Sequence, residues 1–185
     1  PPMGGGGGAV EVDETFFSKS HVPTGAKGTH AMGKVLSLLD RTSGEVRSFV
    51  VTDLDWDTVA PILRENIARE ARLMTDEAAY YRRAKGDFPA HESVNHRADE
   101  WARGDVSTNA VEGSFSIFKR GMRGVYQHCE SKHLHRYASE FAFRYTNRVA
   151  TGVDDQARME KVAEGVKGKR LTYQTTRKRA ETRVW

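Results

Sequence analysis

Between Ala9 and Phe17 the chain alternates apolar and acidic residues, Val10 and Val12 against Glu11 and Asp13, and closes on two aromatics. A period of two predicts a strand with one buried face. Two more apolar, β-branched runs follow, MGKVLSLLDR and VRSFVVTDL, separated only by Arg41-Thr-Ser-Gly44. So short a separator predicts an antiparallel hairpin, and three strands in succession predict a meander. The stretch between the first two runs is rich in Gly, Ser, Thr and Lys through about Gly28 and reads as a loop.

Helical spacing begins at Val59, Ile62, Leu63 and Ile67, with Asp57 as the expected cap and Pro61 expected in the first turn. A short segment, Arg72 to Thr75, leads into Asp76-Glu77 and an expected helix to Lys85, and Glu92 to His96 predicts one more short strand. A helix is expected from Thr108 to Arg120 and a stronger one from Ser131 to Arg148. In the latter Leu134, Tyr137, Ala138, Phe141, Ala142 and Tyr145 form an apolar stripe at i, i+3, i+4, i+7, i+8 and i+11. A strand–helix–strand unit calls for a parallel crossover beside the meander. The expected fold class is therefore α/β: a ribonuclease-H-like mixed sheet, a three-strand meander plus parallel strands, flanked by helices. Residues 1–8 are expected to be a flexible Gly/Pro segment, 9–150 the domain that holds this sheet and 151–185 a basic C-terminal helix or tail.

Composition narrows the class. At 185 residues, 38% hydrophobic and 29% charged, the chain suits one globular domain with a proper core. No apolar run is long enough to span a bilayer, and the start lacks the pattern of a signal peptide. With the single cysteine Cys129 no internal disulfide forms, so a cytoplasmic location is expected. The formal charge is only +4, but Lys and Arg dominate from Lys119 onward, including Lys167, Lys169, Arg170, Arg177, Lys178 and Arg179. A basic second half suits nucleic-acid phosphates, or a solvated tail.

The candidate chemistry is acidic. Asp13 and Asp76 stand where apolar runs end, and Glu112 sits early in the helix VEGSFSIFKR. In a mixed sheet of this order the strands ending at Asp13 and Asp76 lie side by side, and a later helix can bring a third carboxylate. Three such groups repel unless divalent cations neutralise them, and paired Mg²⁺ ions cleave phosphodiesters. The plain alternatives are loop polarity, Asp76 as a helix cap, and Asn109 with Glu112 as a capping box. Asn109, Glu112, Ser116 and Lys119 are spaced to share one polar helix face.

The blocks VEVDETFF, MTDEAAYY, VNHRADEWARGDVSTNAVEGSFSIFKRGMRGVYQH and KHLHRYASEFAFRYTNR resemble the insertion-sequence transposases of DDE type with an ISXO-like catalytic domain. The likeness runs from about Ala9 to Arg148 and is most specific from Ser107 to Tyr126. It implies metal-dependent DNA cleavage and strand transfer during transposition of an insertion sequence. Asp13 and Asp76 match the first two catalytic aspartates. For the third position the resemblance leaves Glu112 and Asn109 open, the spacing from Asp76 favouring Glu112. It implies Mg²⁺ or Mn²⁺, two ions, as cofactor, with Asp13, Asp76 and Glu112 as ligands. Lys119, Arg120 and Arg123 match DNA-contacting positions, and Arg136 and Arg144 on the later helix are further candidates. The expected partners are transposon ends and target DNA, with further copies of the chain in the active assembly and no membrane; nucleoid association follows.

Three departures qualify the resemblance. Phe17-Ser18-Lys19 replaces the usual Gly-Gly-Lys, the loop before Met32 lacks the long basic insert often seen there, and an N-terminal recognition region is missing before Pro1, so a truncated form is expected. The alternative reading is accordingly a catalytically inactive DNA-binding or assembly remnant. A zinc site at His128, Cys129, His133 and His135 matches no ribbon or finger spacing and is set aside.

Overall fold

The computed structural model describes residues 1–17, 32–127, 129 and 131–169. Seven strands and four α-helices are built from them. The meander is β1 (Ala9–Phe17), β2 (Gly33–Asp40) and β3 (Val46–Val51); then come α1 (Trp56–Asn66), β4 (Arg72–Thr75) and β5 (Glu92–Ser93). A small hairpin, β6 (Ala102–Arg103) and β7 (Val106–Ser107), precedes α2 (Asn109–Gly121), α3 (Leu134–Thr146) and α4 (Asp155–Val166). The five-stranded sheet runs β3-β2-β1-β4-β5. β1 is antiparallel to β2 and parallel to β4, and β4 is parallel to β5. This is the ribonuclease-H-like mixed sheet that the sequence predicts, with the crossover through α1.

Alternation along β1 distributes its side chains to two different cores. Val10 and Val12 join Leu36, Leu38 and Leu73 against Trp56, Val59 and Leu63 of α1. The opposite face is covered by α2 and α3, where Val35 meets Phe118 and Leu134, and Leu39 meets Val111, Phe115 and Ala142. Glu11 and Asp13 therefore point to the α2 side. The β2–β3 turn forms as Arg41-Thr-Ser-Gly44 suggests: Asp40 accepts the N–H groups of Thr42 (2.8 Å) and Ser43 (3.1 Å), and Gly44 supplies φ +71°.

Several expectations need correction. The glycine run is docked rather than flexible. Met3 is buried and exchanges backbone bonds with the end of α1, donating to Asn66 (2.8 Å) and accepting from Ala68 (2.9 Å), while the Gly4 N–H donates to Asp40 Oδ2 (2.8 Å). Gly4 allows this approach, because a Cβ there would lie 2.6 Å from that of Ala71. The cap of α1 is Asp55, which accepts from the Thr58 N–H (2.8 Å), so Pro61 falls inside the helix and not in its first turn. Pro61 and Asp57 are both exposed, so water can satisfy the carbonyl that proline leaves unbonded. The segment toward Lys85 is a 3-10 helix, Ala79–Gly86, and the helix expected from Ser131 begins at Leu134 after a 3-10 turn. Of the basic C-terminal segment, α4 is described, while Arg170, Arg177, Lys178 and Arg179 lie outside the described residues.

Where α2 crosses α3, Gly121 faces the Phe141 ring, and a Cβ built there would lie 2.1 Å from its tip. Phe141 is itself held edge-on to Phe118, at 5.3 Å between ring centroids, so it has little room to retreat. Gly121→Ala should destabilise the fold by about 1–3 kcal/mol through overpacking. Urea denaturation checks this, and an unchanged midpoint would mean that the aromatic cluster is loose.

Candidate active site

The parallel pairing of β1 and β4 runs Ala9 to Arg72, Val10 to Leu73 and Glu11 to Met74. Continued two residues, that register sets Asp13 beside Asp76, on the face covered by α2. Glu112 approaches from the first turn of α2. The three acids feel one another electrostatically. Burial, reinforced by the charges of Glu14, Asp76 and Glu112, pushes the Asp13 carboxyl up to about 8, although the Glu14 N–H donates to its Oδ1 (2.8 Å). Asp76 is also raised, by burial first, with Glu77 and Glu112 adding to it against an N–H bond from Ala78 and the attraction of His96. Among the described residues, no three Asp, Glu, His or Cys side chains converge into a finished metal shell. The donor chemistry nonetheless fits a hard divalent cation: carboxylate oxygens, partly desolvated and short of compensating positive charge.

That shortage has a pH signature. An unfolded Asp13 titrates near 3.8, whereas the folded one keeps its proton to about 8. The folded state thus binds the extra proton across this window, and stability falls as pH rises through it. Without divalent metal, Asp13→Asn should be more stable than wild type at about pH 8, with the advantage shrinking toward about pH 4. Melting curves at the two pH values check it; a constant difference would refute the burial argument.

Asp13, Glu112 and Lys119 line one open cleft together with Glu14, Thr15, His96, Trp101 and Ser116. Asp76 lines a recess with Glu77, Tyr81 and His91. Asn109 does not line the cleft; it is exposed at the first position of α2. It is also not the helix cap, which corrects the capping-box expectation: the cap position is Thr108, whose hydroxyl donates to Glu112 Oε1 (2.7 Å). Arg120 and Arg123 are exposed at and beyond the end of α2. Arg136 and Arg144 lie on α3, which packs chiefly on β3, two strands from β1, and Arg144 is paired with Glu140 at 2.9 Å. The structure therefore brings Lys119 to the acids and leaves Arg136 and Arg144 on another flank. His128 lies outside the described residues.

The start of α2 is held by a residue the sequence reading missed. Glu11 is fully buried, and its Oε2 accepts from the N–H groups of Ala110 and Val111, both at 2.9 Å. Its Oε1 accepts from Arg41 Nε at 2.6 Å. Arg41 in turn donates to Ser107 Oγ (2.7 Å) and to the Asp105 carbonyl. A carboxylate from the middle of β1 thus caps a helix about a hundred residues later, where the unpaired N–H groups and the helix dipole favour an anion. Because Glu11 does the capping, Glu112 is not consumed by it. Asp13 stands two residues beyond Glu11 on the same strand face, so one anchor spaces both acids.

His96 was missed as well. It lies three residues beyond the third parallel strand, β5, whose two polar residues form no apolar run to mark it. Its Nε2 lies 3.4 Å from Glu112 Oε1 and 3.3 Å from Thr108 Oγ1.

A family model described as the ISXO2-like transposase domain matches residues 6–146, most of the chain and all of the sheet. The chain belongs to the ISXO2-like transposase domain family. Within this transposase domain, the acids on β1 and α2 and the turn after β4 all fall inside the matched span. No curated protein matches the chain. Among solved structures, it is similar to a chain of the simian T-cell lymphotropic virus intasome in complex with PP2A regulatory subunit B56 gamma, determined by cryo-electron microscopy. That match has a TM-score of 0.45 and 12% identity, and it covers 74% of this chain and 47% of the other. The transposase domain thus spans about half the length of the chain it matches. Among the described residues, no helix is long and apolar enough to cross a membrane.

Proposed function

We propose that this domain cuts and joins DNA as a DDE-type transposase, using Asp13, Asp76 and Glu112. The observation that carries the reading is the parallel pairing of β1 and β4, whose continued register sets Asp13 beside Asp76, with Glu112 of α2 near enough to help raise both carboxyls, in a chain of a transposase-domain family. The three carboxylates would hold Mg²⁺ or Mn²⁺, which when bound supplies positive charge to the attacking and leaving oxygens of a phosphodiester. Lys119 lines the same cleft and would orient a phosphate there, with Arg120 and Arg123 extending the cationic path. Thr108 and His96 would hold the Glu112 carboxylate in place by the contacts to its Oε1. Asn109 would assist from the helix start without being a ligand. The partners are the ends of the mobile element and a target DNA, and action at two ends would need more than one copy of the chain. Nucleoid association in a cytoplasm follows from the same reading.

Nicking of supercoiled plasmid in Mg²⁺ or Mn²⁺, abolished by chelation, tests it. Binding to DNA without nicking would support the inactive DNA-binding or assembly module instead.

A further inference from the structure

Trp101 stands 57% exposed, although an indole is among the side chains most favoured for burial. It lines the cleft that contains Asp13, Glu112 and Lys119. One side of it is already engaged, with its ring centroid 4.8 Å from that of His96 at an interplanar angle of 35°. His96 is fixed in turn: its backbone N–H donates to Glu77 Oε2 (3.0 Å), and its ring touches Thr108 and Glu112. Trp101 is thus one side chain away from the third acid.

The exposure is not that of a loose loop. Trp101 immediately precedes the β6–β7 hairpin, which is tied to the sheet at both ends. Arg72 donates to both carboxylate oxygens of Asp105 (2.6 and 3.1 Å), Arg41 donates to Ser107, and Arg103 donates to the Ser93 carbonyl (3.2 Å). A large aromatic is therefore displayed from an anchored element at the mouth of the acidic cleft. Into the same cleft α2 presents Lys119. An aromatic face and an ammonium lining one cleft complement the two halves of a nucleotide, its base and its phosphate.

We propose that Trp101 is a stacking platform for a nucleobase of the DNA strand entering the cleft, an unstacked base at or next to the phosphate acted on. The proposal rests on the DNA-cutting reading above and adds a base-binding subsite to it. Stacking needs no particular base, since every base has a π-face, so this subsite would grip the strand without reading its sequence. Its natural substrate is DNA whose bases are already unpaired near the cut.

The test uses the full chain and short duplexes with a single-stranded overhang, carrying 2-aminopurine at each overhang position in turn, and matched duplexes abasic there. Ca²⁺ replaces Mg²⁺ so that binding is read without cutting. At one position the wild type should quench the fluorescence. Trp101→Ala should lose that quenching and bind roughly ten-fold more weakly, while Trp101→Phe should keep most of both. The abasic site should weaken the wild type by a similar factor and leave Trp101→Ala unaffected. Equal quenching and affinity in wild type and Trp101→Ala would overturn the proposal, as would an abasic site costing both proteins the same. If Trp101→Ala changed self-association alone, the ring would be a contact between copies and the proposal would fall. Absence of any DNA binding by the wild type would instead overturn the DNA reading, and this subsite with it.

Discussion

Replacing either aspartate, Asp13→Asn or Asp76→Asn, should lower metal-dependent DNA nicking by at least about a thousand-fold, some 4 kcal/mol of transition-state stabilisation. Both changes keep the shape of the side chain and remove its charge. Asp13 lies on β1 and Asp76 directly follows β4, and both strands are held by the core they share with α1, independently of the carboxylates. The loss should therefore come without loss of folding, and DNA binding should persist. The third position separates two candidates. Glu112→Gln should fall nearly as far, because Glu112 lines the cleft and contributes to the raised Asp13 carboxyl. Asn109→Ala should cost only a few-fold, since Asn109 is exposed and does not line that cleft. Initial nicking rates on supercoiled plasmid measure all four. The reverse ranking of Glu112 and Asn109 would move the third ligand to the helix start.

The largest effect on stability should come from Glu11→Ala. It leaves the Arg41 guanidinium without its buried partner and frees the N–H groups of Ala110 and Val111 from their cap. Breaking a buried ion pair by removing one member costs about 3–5 kcal/mol. That is a large share of the ~5–15 kcal/mol that holds a domain together. The melting temperature should drop by roughly 10 °C or more. Glu11→Gln keeps an acceptor for the two N–H groups and loses the charge, so it should fall between wild type and alanine. Circular dichroism melts decide it, and a Glu11→Ala protein melting like wild type would mean that α2 is positioned by its apolar face alone.

The two cases show what the sequence could and could not tell. β1 was legible because it alternates with a period of two, and β2 and β3 because each is an apolar run, joined by a turn whose Asp and Gly residues have local reasons to be there. The pairing of Asp13 with Asp76 followed from strand order once a crossover was required. Glu11 was not legible. In VEVDE it looks like one more exposed polar residue of an alternating strand, and its partners are Arg41 and the start of α2, far along the chain. The same distance effect moved the cap of α2 from Asn109 to a strand. The β6–β7 hairpin, which positions Trp101, has strands of two residues and no periodicity to detect. The docked glycine run misled for the opposite reason: its composition favours flexibility, but backbone bonds to the end of α1 and a buried Met3 outweigh it.

On this reading Asp13 and Asp76 form one divalent-metal site with Glu112. It is tested most directly by titrating Mn²⁺ into wild type, Asp13→Asn and Asp76→Asn and following free Mn²⁺ by electron paramagnetic resonance, with and without DNA. Wild type should bind Mn²⁺, and either substitution should weaken that binding by about ten-fold or more. Equal Mn²⁺ binding by all three proteins would contradict it.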